Sequence, residues 1–240
     1  MREKNLYKKK IVWDGDSICA GSVKYGNWAT RICARNKMKF KNYAVGGGTV
    51  TEEVLSVKWQ KNRHSVSATL DTMYAENPDA DFIIFEGGTN DADLLGLAVE
   101  SGQETRLGSF EENDYSGEYD KKTFCGALES VFYRATKYWH GKKIGYIVAQ
   151  KMFACTIPEY NNRRLYFDHA VAICKKWGIP CLDLWHGCYL NPMLPWMHDA
   201  TKTSDENKEI NAGYYSDGQH LTPRGYDFTS EIIENWLKTL

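Results

Sequence analysis

The chain has 240 residues, 42% of them hydrophobic and 25% charged, which are the proportions of a globular protein rather than a disordered one. Its 30 basic and 31 acidic side chains give a formal net charge of -1, so no overall field attracts nucleic acid or an anionic membrane. We therefore expect no nucleic-acid partner and no membrane insertion, and the length suits one domain over residues 1–240.

The N-terminal segment is basic from Met1 to Lys10, but only Ile11, Val12 and Trp13 precede Asp14. Such a short apolar run cannot form the core of a signal peptide. A cytoplasmic location is therefore expected, with signal-independent export left open. The seven cysteines include no C-x-x-C pair, which favours reduced thiols.

Segments rich in β-branched and aromatic residues alternate with segments of helical periodicity. The strands are predicted at Lys10–Trp13, Lys39–Val45, Asp81–Glu86, Lys143–Ala149 and Ile179–Leu184. Helices are predicted at Trp28–Ala34, Glu53–Trp59, Ala68–Tyr74, Phe124–Trp139 and Leu165–Trp177. A last helix is expected to be capped by Thr222 and to carry Pro223 in its first turn.

This alternation predicts an α/β protein: a three-layer α/β/α sandwich around a five-stranded, mainly parallel sheet. Such sheets bind ligands at the carboxyl ends of their strands. Two long connections, at about 94–122 and 185–216, are candidates for loops that shape a binding site. The acidic stretch Glu100–Asp120 within the first loop fits either a solvated surface excursion or a lid beside the site.

The first strand leads directly into the turn Asp14-Gly15-Asp16-Ser17. A serine at this position could act as a nucleophile if a neighbouring base took its proton, and histidine is suited to that because its pKa lies near neutrality. By itself the Gly-Asp-Ser tripeptide also fits an ordinary turn or a helix cap.

A second chemical signal, Asp217-Gly218-Gln219-His220, stands just before the final helix. A carboxylate three residues before a histidine could hold one imidazole nitrogen while the other nitrogen faces a serine. By itself this pair also fits a surface turn or half of a metal site.

Two glycine-containing blocks follow the second and third strands, Gly46-Gly47-Gly48-Thr49 and Gly87-Gly88-Thr89-Asn90. Backbone N–H groups on glycine turns and an asparagine amide are suitable donors for the oxyanion of a tetrahedral intermediate. A phosphate-binding loop is disfavoured because no Gly-Lys-Ser/Thr follows the first block.

These four blocks, in this order, resemble the SGNH hydrolases, also called the GDSL family, and the resemblance covers the whole chain. It implies a flavodoxin-like fold and a cofactor-free hydrolase in which Ser17 is the nucleophile, His220 the base and Asp217 the acid. It also implies an oxyanion hole made by the Ser17 N–H, the Gly47 N–H and the Asn90 side chain.

Gly47 is chosen among the three glycines because the family's glycine commonly precedes a threonine by two residues, here Thr49. The chain departs from the family pattern at Ile18, where leucine is usual, and at Leu221, where proline often stands. Neither departure removes a catalytic group.

The resemblance implies a serine esterase with a small-molecule or carbohydrate ester as substrate. Short acyl groups, above all acetyl on a carbohydrate, are favoured because no long apolar helix suggests binding of a fatty chain. A lysophospholipase, a thioesterase or an O-acyltransferase with the same triad is an alternative, as is a non-catalytic carbohydrate-binding module. Candidate substrate contacts are Trp59, Trp185 and Trp196.

No metal site is predicted, because the other histidines lack ligand spacing: His64, His140, His169, His186 and His198.

Overall fold

The computed structural model describes residues 6–56, 58, 60–95, 106–152 and 157–240, with side chains described from residue 162 onward in the last range. The main sheet contains β1 (Lys10–Asp14), β2 (Lys39–Asn42), β5 (Phe82–Glu86), β6 (Lys143–Val148) and β7 (Cys181–Asp183), and a separate hairpin contains β3 (Leu55–Ser56) and β4 (Lys61–Asn62). The helices are α1 (Ser17–Ala20), α2 (Trp28–Asn36), α3 (Val66–Glu76), α4 (Thr89–Asp93), α5 (Phe124–Tyr138), α6 (Ile157–Trp177), α7 (Leu184–Gly187), α8 (Ser204–Ile210) and α9 (Pro223–Leu237).

All neighbouring strands of the main sheet are parallel, in the order β2-β1-β5-β6-β7. The chain therefore reverses its direction of winding beside β1, as in flavodoxin-like sheets, and ligands bind at such a switch point. Every residue of β5 is buried, as expected for a central strand covered on both faces. The predicted α/β/α sandwich with five parallel strands is confirmed.

The helices form the two outer layers. On one face α2 packs against α9, and the Trp28 indole N–H donates a 2.8 Å hydrogen bond to the Thr229 hydroxyl. On the other face α5 packs between α3 and α6. The final helix begins as predicted, because the Thr222 hydroxyl accepts a hydrogen bond from the Gly225 N–H and Pro223 occupies the first turn. None of the described helices is both long and apolar enough to cross a membrane.

The helix predicted at Glu53–Trp59 is wrong, because the hairpin of β3 and β4 occupies this region. The Asp91 carboxylate accepts hydrogen bonds from the N–H groups of Val50 and Thr51, which fixes the backbone just before the hairpin in a non-helical path. Glu53 also has a positive φ of 60°, which a right-handed helix does not allow. A partner distant in sequence thus overrides the local helical periodicity.

The strand predicted at Lys39–Val45 ends earlier, at Asn42. The Asn42 side chain accepts a hydrogen bond from the Ala44 N–H and donates one to the Cys19 carbonyl. This local turn leads the chain away from the sheet and towards the glycine block.

The described part of the first long loop, residues 106–122, lies against α5 and α6. The Lys176 ammonium group donates hydrogen bonds of 2.6 and 2.7 Å to the carbonyls of Phe110 and Asn113, and it pairs with the buried Glu129 carboxylate at 2.7 Å. This segment is a surface excursion held on the outside of two helices. Residues 96–105 lie outside the described residues, so the lid hypothesis stays a prediction there.

Candidate active site

Ser17 lies at the carboxyl end of β1, at the switch point of the sheet. The strand ends at Asp14, and Ser17 is the first residue of the short helix α1. Asp16 caps this helix, since one of its carboxylate oxygens accepts a 2.8 Å hydrogen bond from the Ile18 N–H. The cap fixes the backbone on both sides of the serine.

Asp217 and His220 meet Ser17 although about 200 positions separate them in the chain. The His220 Nε2 atom lies 2.8 Å from the Ser17 Oγ atom. On the other side of the ring, His220 Nδ1 lies 2.8 Å from an Asp217 carboxylate oxygen. When Nδ1 carries the ring proton and donates a hydrogen bond to Asp217, Nε2 is free to accept the serine hydroxyl proton.

The backbone around these residues closes a tight loop. The other Asp217 carboxylate oxygen accepts hydrogen bonds from the N–H groups of Gln219 and His220, at 3.0 and 2.7 Å. The Ser216 N–H donates to the His220 carbonyl at 2.8 Å, and the buried Asn207 amide donates to the Ser216 carbonyl at 3.0 Å. The second long loop, which contains α8, thus delivers the acid–base pair to the serine.

The charges in this loop favour an ionised acid beside a basic imidazole. Burial by itself would raise the pKa of Asp217, but its hydrogen bonds and the charge of His220 lower that pKa to about 2. Burial would lower the pKa of His220, whereas the hydrogen bond to Asp217, its charge and that of Asp16 outweigh burial and raise the pKa. The carboxylate therefore stays charged throughout the neutral range and stabilises the imidazolium form.

The glycine block lies beside the serine. An ideal Cβ atom placed on Gly46 would lie 3.8 Å from the Ser17 Cβ atom, so the two backbones approach closely. The Gly48 N–H donates to the Val45 carbonyl at 2.9 Å and is therefore engaged within the loop. Gly47 has a left-handed φ of 78°, a conformation that favours glycine. Within the described ranges no hydrogen bond occupies the N–H of Gly46 or of Gly47, so both can serve as donors.

Asn90 reaches the same place from α4. Its amide nitrogen donates to the Gly48 carbonyl at 2.8 Å and makes a longer contact of 3.4 Å with an Asp16 carboxylate oxygen. The structure thus brings together Ser17, the glycine block, Asn90 and the acid–base pair.

Two side chains support the glycine block from behind, and motif analysis assigned them no role at the site. His64 lies 2.7 Å from the buried Asp14 carboxylate through its Nε2 atom and against Gly48 through its ring. The Arg63 guanidinium group donates a 2.9 Å hydrogen bond to the Gly47 carbonyl. No sequence motif marks Arg63 and His64 as site residues, because only the folded chain shows that the segment after β4 reaches the glycine block.

A buried pair of carboxyl groups, Asp16 and Glu86, lies beneath the nucleophile. The Asp16 N–H donates a 3.1 Å hydrogen bond to Glu86 Oε2, and a Cβ atom on Gly15 would lie only 2.7 Å from that oxygen. Burial raises the pKa of both groups, and the charge of Asp16 raises that of Glu86 further. We infer that Glu86 carries the proton of the pair. Glu86 was not predicted as a site residue, because in the sequence it is the last residue of an apolar strand.

The three tryptophans predicted to contact substrate have different surroundings. Trp185 is only 2% exposed and packs against Phe167 with ring centroids 5.0 Å apart, so the structure assigns it to the core and leaves it almost no surface for a substrate. Trp196 is 68% exposed on the second long loop, and its role stays a prediction. Trp59 lies outside the described residues.

Other parts of the described chain offer weaker sites. No group of three histidine, cysteine or carboxylate side chains suited to a metal ion occurs among the described residues. A cavity of about 1170 Å³ opens at the opposite edge of the sheet, where Lys9, Arg35 and Lys143 line it. It holds no nucleophile paired with a base, so the chemistry favours the edge at Ser17 despite the size of that cavity.

Comparison with known proteins gives one family match. The model of the GDSL-like lipase/acylhydrolase family matches residues 15–228, which span all four sequence blocks. No curated protein matches the chain significantly.

Solved structures share the fold at low sequence identity. A protein from Lactobacillus plantarum is 18% identical, with a TM-score of 0.70, and the match covers 97% of this chain and 98% of that one. A lipase/acylhydrolase from Enterococcus faecalis is 16% identical with a TM-score of 0.56, covering 96% of each chain. A carbohydrate acetylesterase from Sinorhizobium meliloti is 13% identical with a TM-score of 0.59, covering 97% of this chain and 99% of that one. At these identities the likeness extends to the fold alone.

The buried carboxyl pair generates a prediction. Replacing Glu86 by Gln should leave the melting temperature unchanged within about 2 °C and any ester hydrolysis within about twofold of wild type, because glutamine matches a neutral carboxyl group in shape and hydrogen bonding. Glu86→Leu should destabilise the protein by about 1–3 kcal/mol, because it leaves the buried Asp16 N–H without an acceptor. Thermal unfolding of both variants checks this. If Glu86→Gln proves as damaging as Glu86→Leu, Glu86 is ionised in the native protein.

Proposed function

Because this chain belongs to the GDSL-like lipase/acylhydrolase family, we propose that it is a serine esterase with Ser17 as nucleophile, His220 as base and Asp217 as the acid that orients the base. The observation that carries the proposal is the continuous hydrogen-bonded path from Asp217 through His220 to Ser17, with both links at 2.8 Å. This distance lies within the reach that proton transfer to a general base requires.

In the first half of the proposed reaction, His220 Nε2 takes the hydroxyl proton while Ser17 Oγ attacks the ester carbonyl carbon. The carbonyl oxygen becomes an oxyanion. Collapse of this intermediate breaks the bond to the alcohol, which leaves with the proton from His220 Nε2. In the second half, water loses a proton to His220 and attacks the acyl-serine, which releases the acid and restores the Ser17 hydroxyl.

The proposed oxyanion hole uses the Ser17 N–H, the Gly47 N–H and the Asn90 amide. The contact between Asn90 and Asp16 is long, at 3.4 Å, so an oxyanion can replace it at little cost while the 2.8 Å bond to Gly48 keeps the amide in place. The Gly46 N–H is the alternative glycine donor, since Gly46 lies against Ser17.

For the substrate we propose a short acyl ester, with acetyl on a carbohydrate as the first choice. His220 and Asp217 remain 35% and 39% exposed, an open setting that suits a bulky, hydrophilic alcohol. The carbohydrate acetylesterase that shares this fold adds support by analogy.

The first prediction concerns the nucleophile. Ser17→Ala should lower kcat on a short chromogenic acetyl ester by at least about 10³-fold, because no other activated hydroxyl replaces it. The matched control is Cys19→Ala, two residues away, which should retain activity because burial raises the pKa of the Cys19 thiol and keeps it protonated. Equal rates for Ser17→Ala and wild type would end the proposal.

The second prediction concerns acyl length. On 4-nitrophenyl esters, kcat/KM should be highest for acetyl and should fall by about tenfold or more by the eight-carbon chain, because an open polar site gains little from burying extra methylene groups. Acetylated sugars and lysophospholipids, assayed on the same preparation, extend the comparison. A preference for the long acyl chains would indicate a lipase-like enzyme and not an acetylesterase. Product that forms only with an added acceptor would indicate a transferase.

The third prediction concerns pH. Only neutral His220 can accept the serine proton, and its pKa is raised above the ordinary value near 6.5, so kcat/KM should rise with pH through a midpoint above about 6.5. Asp217 stays ionised far below this range and adds no second step. In Asp217→Asn the midpoint should move to lower pH and kcat should fall by about 10²–10⁴-fold, because the charge that raises the pKa and fixes the tautomer is gone. An unchanged midpoint would contradict the assigned pair.

A further inference from the structure

Arg163, on α6, is a buried cation that contacts one sequence block directly, at Gln219, and the helix that carries Asn90, at Asp93. It is 6% exposed, and its guanidinium group pairs with both oxygens of Asp93 at 2.7 and 2.8 Å. Asp93 is the last residue of α4, three positions after Asn90. The nitrogen that contacts Asp93 at 2.8 Å also donates to the Gln219 side-chain carbonyl at 3.1 Å.

Gln219 is thereby held at three points. Its N–H donates to Asp217 at 3.0 Å, its backbone carbonyl accepts a 3.0 Å hydrogen bond from the Gln150 amide, and its side chain accepts from Arg163. Gln150 is fully buried, and its own carbonyl oxygen has no partner among the described residues.

Packing alone cannot hold the acid–base pair, because more than a third of each of its two side chains is accessible to solvent. Support has to come from behind the loop. The two-pronged pair with Asp93 already balances the charge of Arg163. The additional hydrogen bond to Gln219 therefore fixes the position of the loop and is not needed to neutralise the guanidinium group.

We propose that Arg163 is a positioning residue that ties the helix carrying Asn90 to the loop carrying Asp217 and His220, so that oxyanion donor and base keep one fixed separation. The proposal rests on the esterase function proposed above. It predicts that loss of the tie lowers kcat more than it raises KM, because misplacing a base by a fraction of an ångström slows proton transfer without removing a substrate contact.

The experiment is a double-mutant cycle on hydrolysis of a short acetyl ester. Gln219→Met removes the acceptor at similar size, and Arg163→Lys can keep the charge pair with Asp93 but cannot also reach Gln219 with a planar fork. Each should lower kcat by about tenfold with KM within about twofold. The kcat of the double variant should be no lower than that of the less active single variant, because both substitutions remove the same interaction. Gln219→Glu, which keeps an acceptor, should recover most of the lost kcat.

Two controls separate the possible failures. Arg164→Met changes the exposed neighbour on the same helix and should leave kcat at the wild-type value, and melting temperatures verify that every variant folds. A wild-type kcat in Gln219→Met would overturn the proposed role of Arg163, and so would a double variant whose loss of kcat equals the product of the two single losses. In either case Ser17→Ala would still abolish activity. Wild-type activity in Ser17→Ala would instead overturn the proposed function, and the tie with it.

Discussion

The loops at the carboxyl edge of this sheet are held by buried carboxyl groups, whose oxygen atoms require hydrogen-bond donors once they are removed from water. Asp14, Asp16, Glu86 and Asp91 are all buried there, and the donors they accept from include backbone N–H groups of the surrounding loops. These bonds fix turns and the first turn of α1, where the chain has left the sheet. These acids fix the nucleophile turn and the chain that directly follows the glycine block.

The reactive side chains are partly exposed, whereas most of the groups that hold them are buried. Ser17 and His220 meet at a partly open surface. Beneath them Asp16, Glu86 and Arg163 are buried, while the Asp93 carboxylate that pairs with Arg163 is partly exposed. Breaking a buried polar network is costly, so the exposed groups inherit a fixed geometry from it. Such preorganisation lets donors act on a developing charge without having to rearrange.

Much of the fold and the residues of the candidate site could be predicted from the sequence, because parallel strands end at one edge and each of the four blocks follows a strand or precedes the last helix. The predictions that failed concern residues whose conformation depends on partners distant in the sequence. The helix expected at Glu53–Trp59 gave way to a hairpin beside the backbone that Asp91 fixes, and Trp185 turned into the core, a direction that sequence does not specify. Glu86 and Arg163 went unrecognised because their partners are about 55 to 70 positions away.

The central claim is that His220 activates Ser17, and covalent labelling by a fluorophosphonate tests it most directly. Such a reagent reacts with an activated serine hydroxyl and mimics the first, bond-forming step. Mass spectrometry of the wild-type protein should place one adduct on Ser17, and in His220→Ala the labelling rate should fall by about 10³-fold or more. Labelling of Ser17 at the same rate without the imidazole, or labelling elsewhere, would contradict the account.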